Sequence, residues 1–249
     1  MRRLITAAVL VAALTAVSSA SAITNGTADG NAHPNVGGLV ADTQYSDGTW
    51  IYCSGTLISP TVFLTAAHCA DDRQRVRVTF DTAYQDGDKV YSGTFHADPA
   101  YTQSQSDAHD IAVVVLDKAV KGITPAQLPT ANSLANLSGS QKFTSVGYGA
   151  YEVTNQPGGH QYLYNDVRMV ATGTLNTTTQ SWLKISMNPS HGDGGTCYGD
   201  SGGPNFLGTT NVIAAITITG DAVCRSTNVT YRLDTESARS FLSQYVALP

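Results

Sequence analysis

Residues 199–204 read Gly199-Asp200-Ser201-Gly202-Gly203-Pro204, and the question of what serves the serine in this glycine-rich turn decides the fold. Gly199 to Gly203 matches G-x-S-x-G, the nucleophile-elbow pattern of α/β-hydrolases, in which an acid and then a histidine follow the serine. Here that order is impossible, because His33, His68, His96, His109, His160 and His191 all precede Ser201. A serine hydroxyl is a weak nucleophile that needs an adjacent base, so any base for Ser201 comes from upstream. Two upstream stretches then stand out: Thr65-Ala66-Ala67-His68-Cys69 and His109-Asp110-Ile111-Ala112-Val113. They give the chain order histidine, acid, serine.

The surrounding chain reads as strands. β-Branched or alternating runs recur at Val36 to Thr43, Trp50 to Ile58, Arg75 to Phe80, Val90 to Phe95, Ile111 to Leu116, Leu163 to Val170, Val212 to Thr219 and Val229 to Leu233, with turn signals between them. That spacing predicts an all-β sandwich or barrel. Only the C-terminus has helical periodicity: Asp234 is a plausible N-cap, and Ala238, Phe241, Leu242, Tyr245 and Val246 form one apolar stripe for core packing. Tyr151 to Tyr164, with Pro157-Gly158-Gly159, reads as a long polar loop open to nicking. Of 249 residues, 42% are hydrophobic and 13% charged, which excludes coiled coils and charged tails.

Residues 1–22 combine Arg2-Arg3, an apolar run from Leu4 to Val17 and Ala20-Ser21-Ala22. This is the pattern of a secretory signal peptide, too short in its apolar run to span a bilayer as a helix. Cleavage after Ala22, with Ala20 as the alternative, leaves Ile23 first and a domain over residues 23–249. Removing Arg2 and Arg3 takes the formal charge from −5 to −7, which excludes a nucleic-acid binder. In an exported chain, Cys53, Cys69, Cys197 and Cys224 predict two disulfides rather than a metal site, and spacing alone leaves all three pairings open.

The three stretches around His68, Asp110 and Ser201, in that order, resemble the motifs of the chymotrypsin/trypsin family of secreted serine peptidases. So do Cys53-Ser54-Gly55-Thr56-Leu57-Ile58, Gly147-Tyr148-Gly149 and Val229-Thr230-Tyr231. The resemblance implies two antiparallel β-barrels packed around a cleft, one over about residues 23–130 and the other over about 131–249, followed by a C-terminal α-helix. It implies Ser201 as nucleophile, His68 as base, Asp110 as the acid that orients the imidazole, and the amides of Gly199 and Ser201 as oxyanion donors. It also implies the pairings Cys53 with Cys69 and Cys197 with Cys224, and an ion pair between the freed Ile23 ammonium and Asp200. On this reading signal cleavage and activation are one event.

The substrate pocket departs from the basic-specific pattern. Gly195, six before the nucleophile, replaces the floor acid that pairs Arg or Lys, and Thr196 stands next to it. Gly220 matches a wall glycine; Val229, within one residue of alignment, stands where the other wall glycine is usual. The expectation is an uncharged, shortened pocket, with Asp193 or Asp221 as alternative sources of charge. His109 is discounted as base because strand alternation points it away from Asp110, and His191 reads as loop surface. Arg73, Arg75 and Arg77 form a basic stripe on a solvated edge. Asp81, Asp86 and Asp88 lack a dense calcium-ligand pattern. No cofactor or metal is called for. The expected protein is a secreted monomeric serine endopeptidase acting on proteins or peptides, without nucleic-acid or membrane partners after signal cleavage. A catalytically silent binding module and an esterase on the same fold are the alternatives.

Overall fold

A computed structural model describes residues 23–249 apart from 71, 104, 105 and 158. The signal segment 1–22 lies outside the described residues. Strands β2 (Val36–Val40), β3 (Ile51–Ser59), β4 (Val62–Thr65), β5 (Arg75–Thr79), β6 (Tyr91–Ala97) and β7 (Ala112–Leu116) close an antiparallel barrel in the order β2-β3-β4-β7-β6-β5. Leu39, Leu57, Phe63, Leu64, Val78 and Val113 on these strands are all fully buried in one apolar cluster. The alternating and β-branched runs read from the sequence supply these side chains, since residues two apart on a strand share a face.

The second antiparallel barrel comprises β8 (Lys142–Gly147), β11 (Met169–Thr178), β12 (Trp182–Ser186), β13 (Pro204–Leu207), β14 (Ile213–Gly220) and β15 (Thr227–Arg232). Pairing of β11 with both β8 and β12 closes it. The short β1 (Thr27–Ala28) pairs with β11, so the first described residues lie on the second barrel. The chain's other end crosses back: Ala238, Phe241 and Leu242 of α1 (Glu236–Leu242) join the apolar cluster of the first barrel. Between the barrels Arg168, fully buried, donates to Asp29 Oδ2 (2.9 Å) and to the carbonyls of Val36 and Phe80 (both 3.0 Å). A buried guanidinium is tolerated only when paired and hydrogen-bonded in this way.

Three local expectations are corrected. The predicted polar loop at 151–164 contains a hairpin, β9 (Glu152–Gln156) with β10 (Gly159–Leu163), tied down where the Tyr162 hydroxyl donates to the Ala222 carbonyl at 2.7 Å. The run Leu163 to Val170 is consequently split between the end of β10 and the start of β11. At the C-terminus the N-cap is Thr235, whose Oγ1 accepts from Ala238 N, while Asp234 is taken by Arg232 and Leu134 N. Helix α1 ends at Leu242, so Tyr245 and Val246 pack from the turn beyond it.

Candidate active site

His68 lies in a 3₁₀ turn, Ala67–Ala70, directly after β4. Its Nδ1 is 2.7 Å from Asp110 Oδ2, and its backbone N donates to Asp110 Oδ1 at 3.0 Å. The carboxylate therefore holds both the ring and the backbone of one residue. A carboxylate accepts only, so Nδ1 carries the hydrogen of this bond.

The serine turn is anchored by its carbonyls. Tyr198 O accepts from Ala150 N (2.8 Å), Gly199 O from Ser54 Oγ (3.0 Å), Asp200 O from Gly203 N (2.9 Å) and Ser201 O from Ser54 N (2.8 Å). In a trans peptide the N–H points opposite to the preceding C=O. Anchoring the Tyr198 and Asp200 carbonyls thus turns the amides of Gly199 and Ser201 the other way. Gly199 and Gly202 have φ of +94° and +78°. A Cβ on Gly202 would also lie 2.2 Å from Thr65 Oγ1, so both geometry and space demand glycine. Ser201 and His68 line one cavity of about 620 Å³, together with Thr196, Tyr198, Gly199, Gly220, Tyr45, Tyr52 and Tyr164. Burial first, then the charges of Asp47 and Asp200, push the Tyr164 phenol up to about 12.

Beneath the turn, Asp200 is completely buried. Oδ1 accepts from Gly149 N and Oδ2 from Cys197 N, both at 2.8 Å. Burial nevertheless dominates these two bonds and raises its carboxyl to about 7. The motif Gly147-Tyr148-Gly149 now has a physical reason: a Cβ at Gly147 would lie 2.2 Å from Asp200 Oδ1, and one at Gly149 would lie 2.6 Å from Asp200 Cγ. Ile23 is also fully buried, packed with Met169 and Ala171. Next to it Thr24 bridges to Gly195, with Gly195 N donating to Thr24 O at 3.0 Å. No described contact joins Ile23 to Asp200.

Disulfides Cys53–Cys69 and Cys197–Cys224 brace the histidine turn and the outer pocket loop. Cys53, His68 and Cys69 are also the one compact group of three metal-ligand types found among the described residues, but both sulfurs are spent in the disulfide.

A family model described as Trypsin matches residues 26–240. The chain belongs to the trypsin family. It is 27% identical over 188 residues to granzyme M of Homo sapiens, covering 69% of this chain and 70% of the relative. It is also 27% identical to tissue-type plasminogen activator of Sus scrofa, spanning 71% of this chain but only 36% of that longer relative. In fold it resembles a solved structure of HL collagenase, with a TM-score of 0.66 over 92% of this chain and 97% of that one at 20% identity.

Within this trypsin-family chain, Thr196 and Gly220 line the cavity, whereas Gly195 and Val229 are not among its lining residues. Val229 is paired between Lys184 and Thr219 in the sheet. The space over Gly195 is filled by Met187: a Cβ there would meet Met187 Cγ at 2.3 Å, and Met187 Cε also reaches within 3.8 Å of a Cβ on Gly220. Sequence reasoning missed this methionine, which no local pattern marks. Of the two alternative acids, Asp221 lines the cavity and Asp193 does not. Asp193 is bonded to Lys142 Nζ (2.9 Å) and Thr174 Oγ1 (2.7 Å), and Asp221, although it lines the cavity, accepts the backbone amides of Arg225, Ser226 and Thr227. His109 is turned from His68 for a different reason than alternation, since it precedes β7 at φ +50° with its ring 3.0 Å from Asp98 Oδ2. His191 is exposed at the end of a 3₁₀ turn.

Proposed function

We propose that this protein is a secreted serine endopeptidase in which Ser201 attacks the peptide carbonyl and His68 acts as base. Nε2 of His68 takes the hydroxyl proton and returns it to the leaving amine; Asp110 holds the tautomer and stabilises the imidazolium; the amides of Gly199 and Ser201 receive the developing oxyanion. Water then hydrolyses the acyl-enzyme with His68 again as base. The observation carrying this reading is the double hold of Asp110 on His68, which lines the same cavity as Ser201. Secretion rests on the pattern of residues 1–22.

Activation is assigned to cleavage after Ala22, which makes Ile23 N an ammonium and gives Asp200 a cation. The backbone at Ile23 supports this, for its φ is +57°, a left-handed value that a β-branched residue adopts at a cost of about 1–2 kcal/mol. Cutting the 22–23 bond abolishes that torsion altogether. With Gly195 in place of a floor acid and Met187 packed against it, the pocket is assigned uncharged, small to medium apolar side chains at the residue before the cut. Casein and small ester substrates test the reading together. Casein hydrolysis supports an endopeptidase, ester turnover without casein cleavage selects the esterase, and neither selects the silent binding module.

A further inference from the structure

Residues 98–111, between β6 and β7, belong to the first barrel, yet their centre is gripped from the other side of the interface. Asp107 Oδ1 accepts the Tyr231 hydroxyl and Oδ2 the Ser237 hydroxyl, each at 2.7 Å. Tyr231 is fully buried on β15, Ser237 opens α1, and their oxygens are 3.0 Å apart. Trp182, edge-on to the Tyr231 ring, donates from Nε1 to the Ser106 carbonyl at 2.8 Å. Hydrogen bonds to an ionised carboxylate are about twice as strong as neutral ones. Although burial opposes it, these donors and His109 hold the Asp107 carboxyl below its usual range.

From Asp107 the grip reaches Asp110 in three residues. Asp107 Oδ1 also accepts His109 N at 3.3 Å, and the His109 ring stands between Asp98 Oδ2 at 3.0 Å and Asp107 Oδ2 at 4.0 Å. His109 is thereby kept at φ +50°, a left-handed conformation uncommon for a residue with a side chain. Its carbonyl accepts Ile111 N at 2.8 Å, closing a tight turn around Asp110. That turn aims the Asp110 carboxylate at His68. Neither Asp107, Tyr231 nor Ser237 lines the cavity holding Ser201, so their influence on chemistry runs through Asp110 and not through substrate.

We propose that Asp107, clamped by Tyr231 and Ser237, is a positioning residue that sets Asp110 against His68 across the barrel interface. The inference rests on the peptidase reading for its kinetic consequence only. Tyr231→Phe removes one hydroxyl and keeps the buried ring; Ser237→Ala removes the other donor to the same carboxylate. Small misplacements of catalytic groups are costly, so each variant should lose about 10-fold or more in kcat for a peptide substrate, with KM within about twofold. The strongly deshielded proton NMR signal of His68 Nδ1–H should weaken or move upfield in both. Ser237→Thr, which keeps a hydroxyl, should recover most of the kcat lost in Ser237→Ala. Both variants showing wild-type kcat and an unmoved Nδ1–H signal, even with a lowered melting temperature, would overturn the proposal and leave a packing role. If the wild-type protein cleaves no peptide, the peptidase reading fails by itself, and the Nδ1–H signal still decides whether the clamp positions Asp110.

Discussion

Two buried aspartates flank the cleft, and they differ in what faces their charge. Asp110 meets a titratable partner, with one oxygen on the His68 ring and the other on its amide. Asp200 meets only the amides of Gly149 and Cys197, and burial lifts its carboxyl to about 7. On the proposed mechanism the base half of the site is therefore electrostatically complete before cleavage, whereas the nucleophile half holds a carboxyl without a cation beside it. Under the proposed cleavage after Ala22, Ile23, buried and bridged through Thr24 to Gly195, would supply that cation.

The comparison breaks first if the base half is dispensable. Ser201→Ala and His68→Ala should each lower kcat by about 10⁶-fold, and Asp110→Asn by about 10⁴-fold, with secretion and circular dichroism unchanged. Near-normal turnover by any of these variants would remove it from the mechanism. The nucleophile half is probed next. Removing one member of a buried ion pair costs about 3–5 kcal/mol, so Asp200→Asn, or a form that retains Ala22, should fold yet lose about 10²- to 10³-fold in kcat/KM while Ser201 remains present. Full activity with Ala22 retained would point to a separate maturation step.

A smaller effect separates the same two states by stability. A carboxyl whose folded-state pKa is raised stabilises the fold fully below its unfolded value and loses that contribution as pH rises through the folded one. With Asp200 raised from 3.8 to about 7, the Ala22-retaining form should lose stability between about pH 4 and pH 7, on the order of 4 kcal/mol. The form starting at Ile23 should not, because the ammonium compensates the charge. Urea melts of both forms in a Ser201→Ala background measure this, and equal pH slopes would contradict the pairing. The smallest effect concerns the pocket. Met187→Ala should shift preference toward larger apolar side chains by about tenfold, and benzamidine should bind weakly to the wild type; preference for Arg or Lys over Leu at the residue before the cut would refute the uncharged pocket.

Much of this was legible in the chain because local chemistry leaves local marks. Strand alternation announced β3, β5 and β14 within a few residues, and the order His68, Asp110, Ser201 excluded the commoner elbow arrangement before any coordinate was needed. The two bridges formed as the family resemblance implies. Less was readable where partners lie far apart in sequence. Arg168 is silent until Asp29, Val36 and Phe80 surround it, and Met187 acquires meaning only when Gly195 and Gly220 close over it. Val229, expected on the pocket wall, pairs with Lys184 and Thr219 and is not among the residues lining the cavity. The hairpin at 152–163 escaped because its short strands are mostly polar, β10 being exposed except at Tyr162, and carry little hydrophobic alternation.

The central claim, that Ser201 is a nucleophile activated by His68, is tested most directly by the rate of covalent labelling with a fluorophosphonate, mapped by mass spectrometry on the form starting at Ile23. The account predicts one adduct per chain, on Ser201, formed at least about 10³-fold more slowly in His68→Ala. An adduct on another residue, or labelling of Ser201 at the same rate without His68, would contradict it.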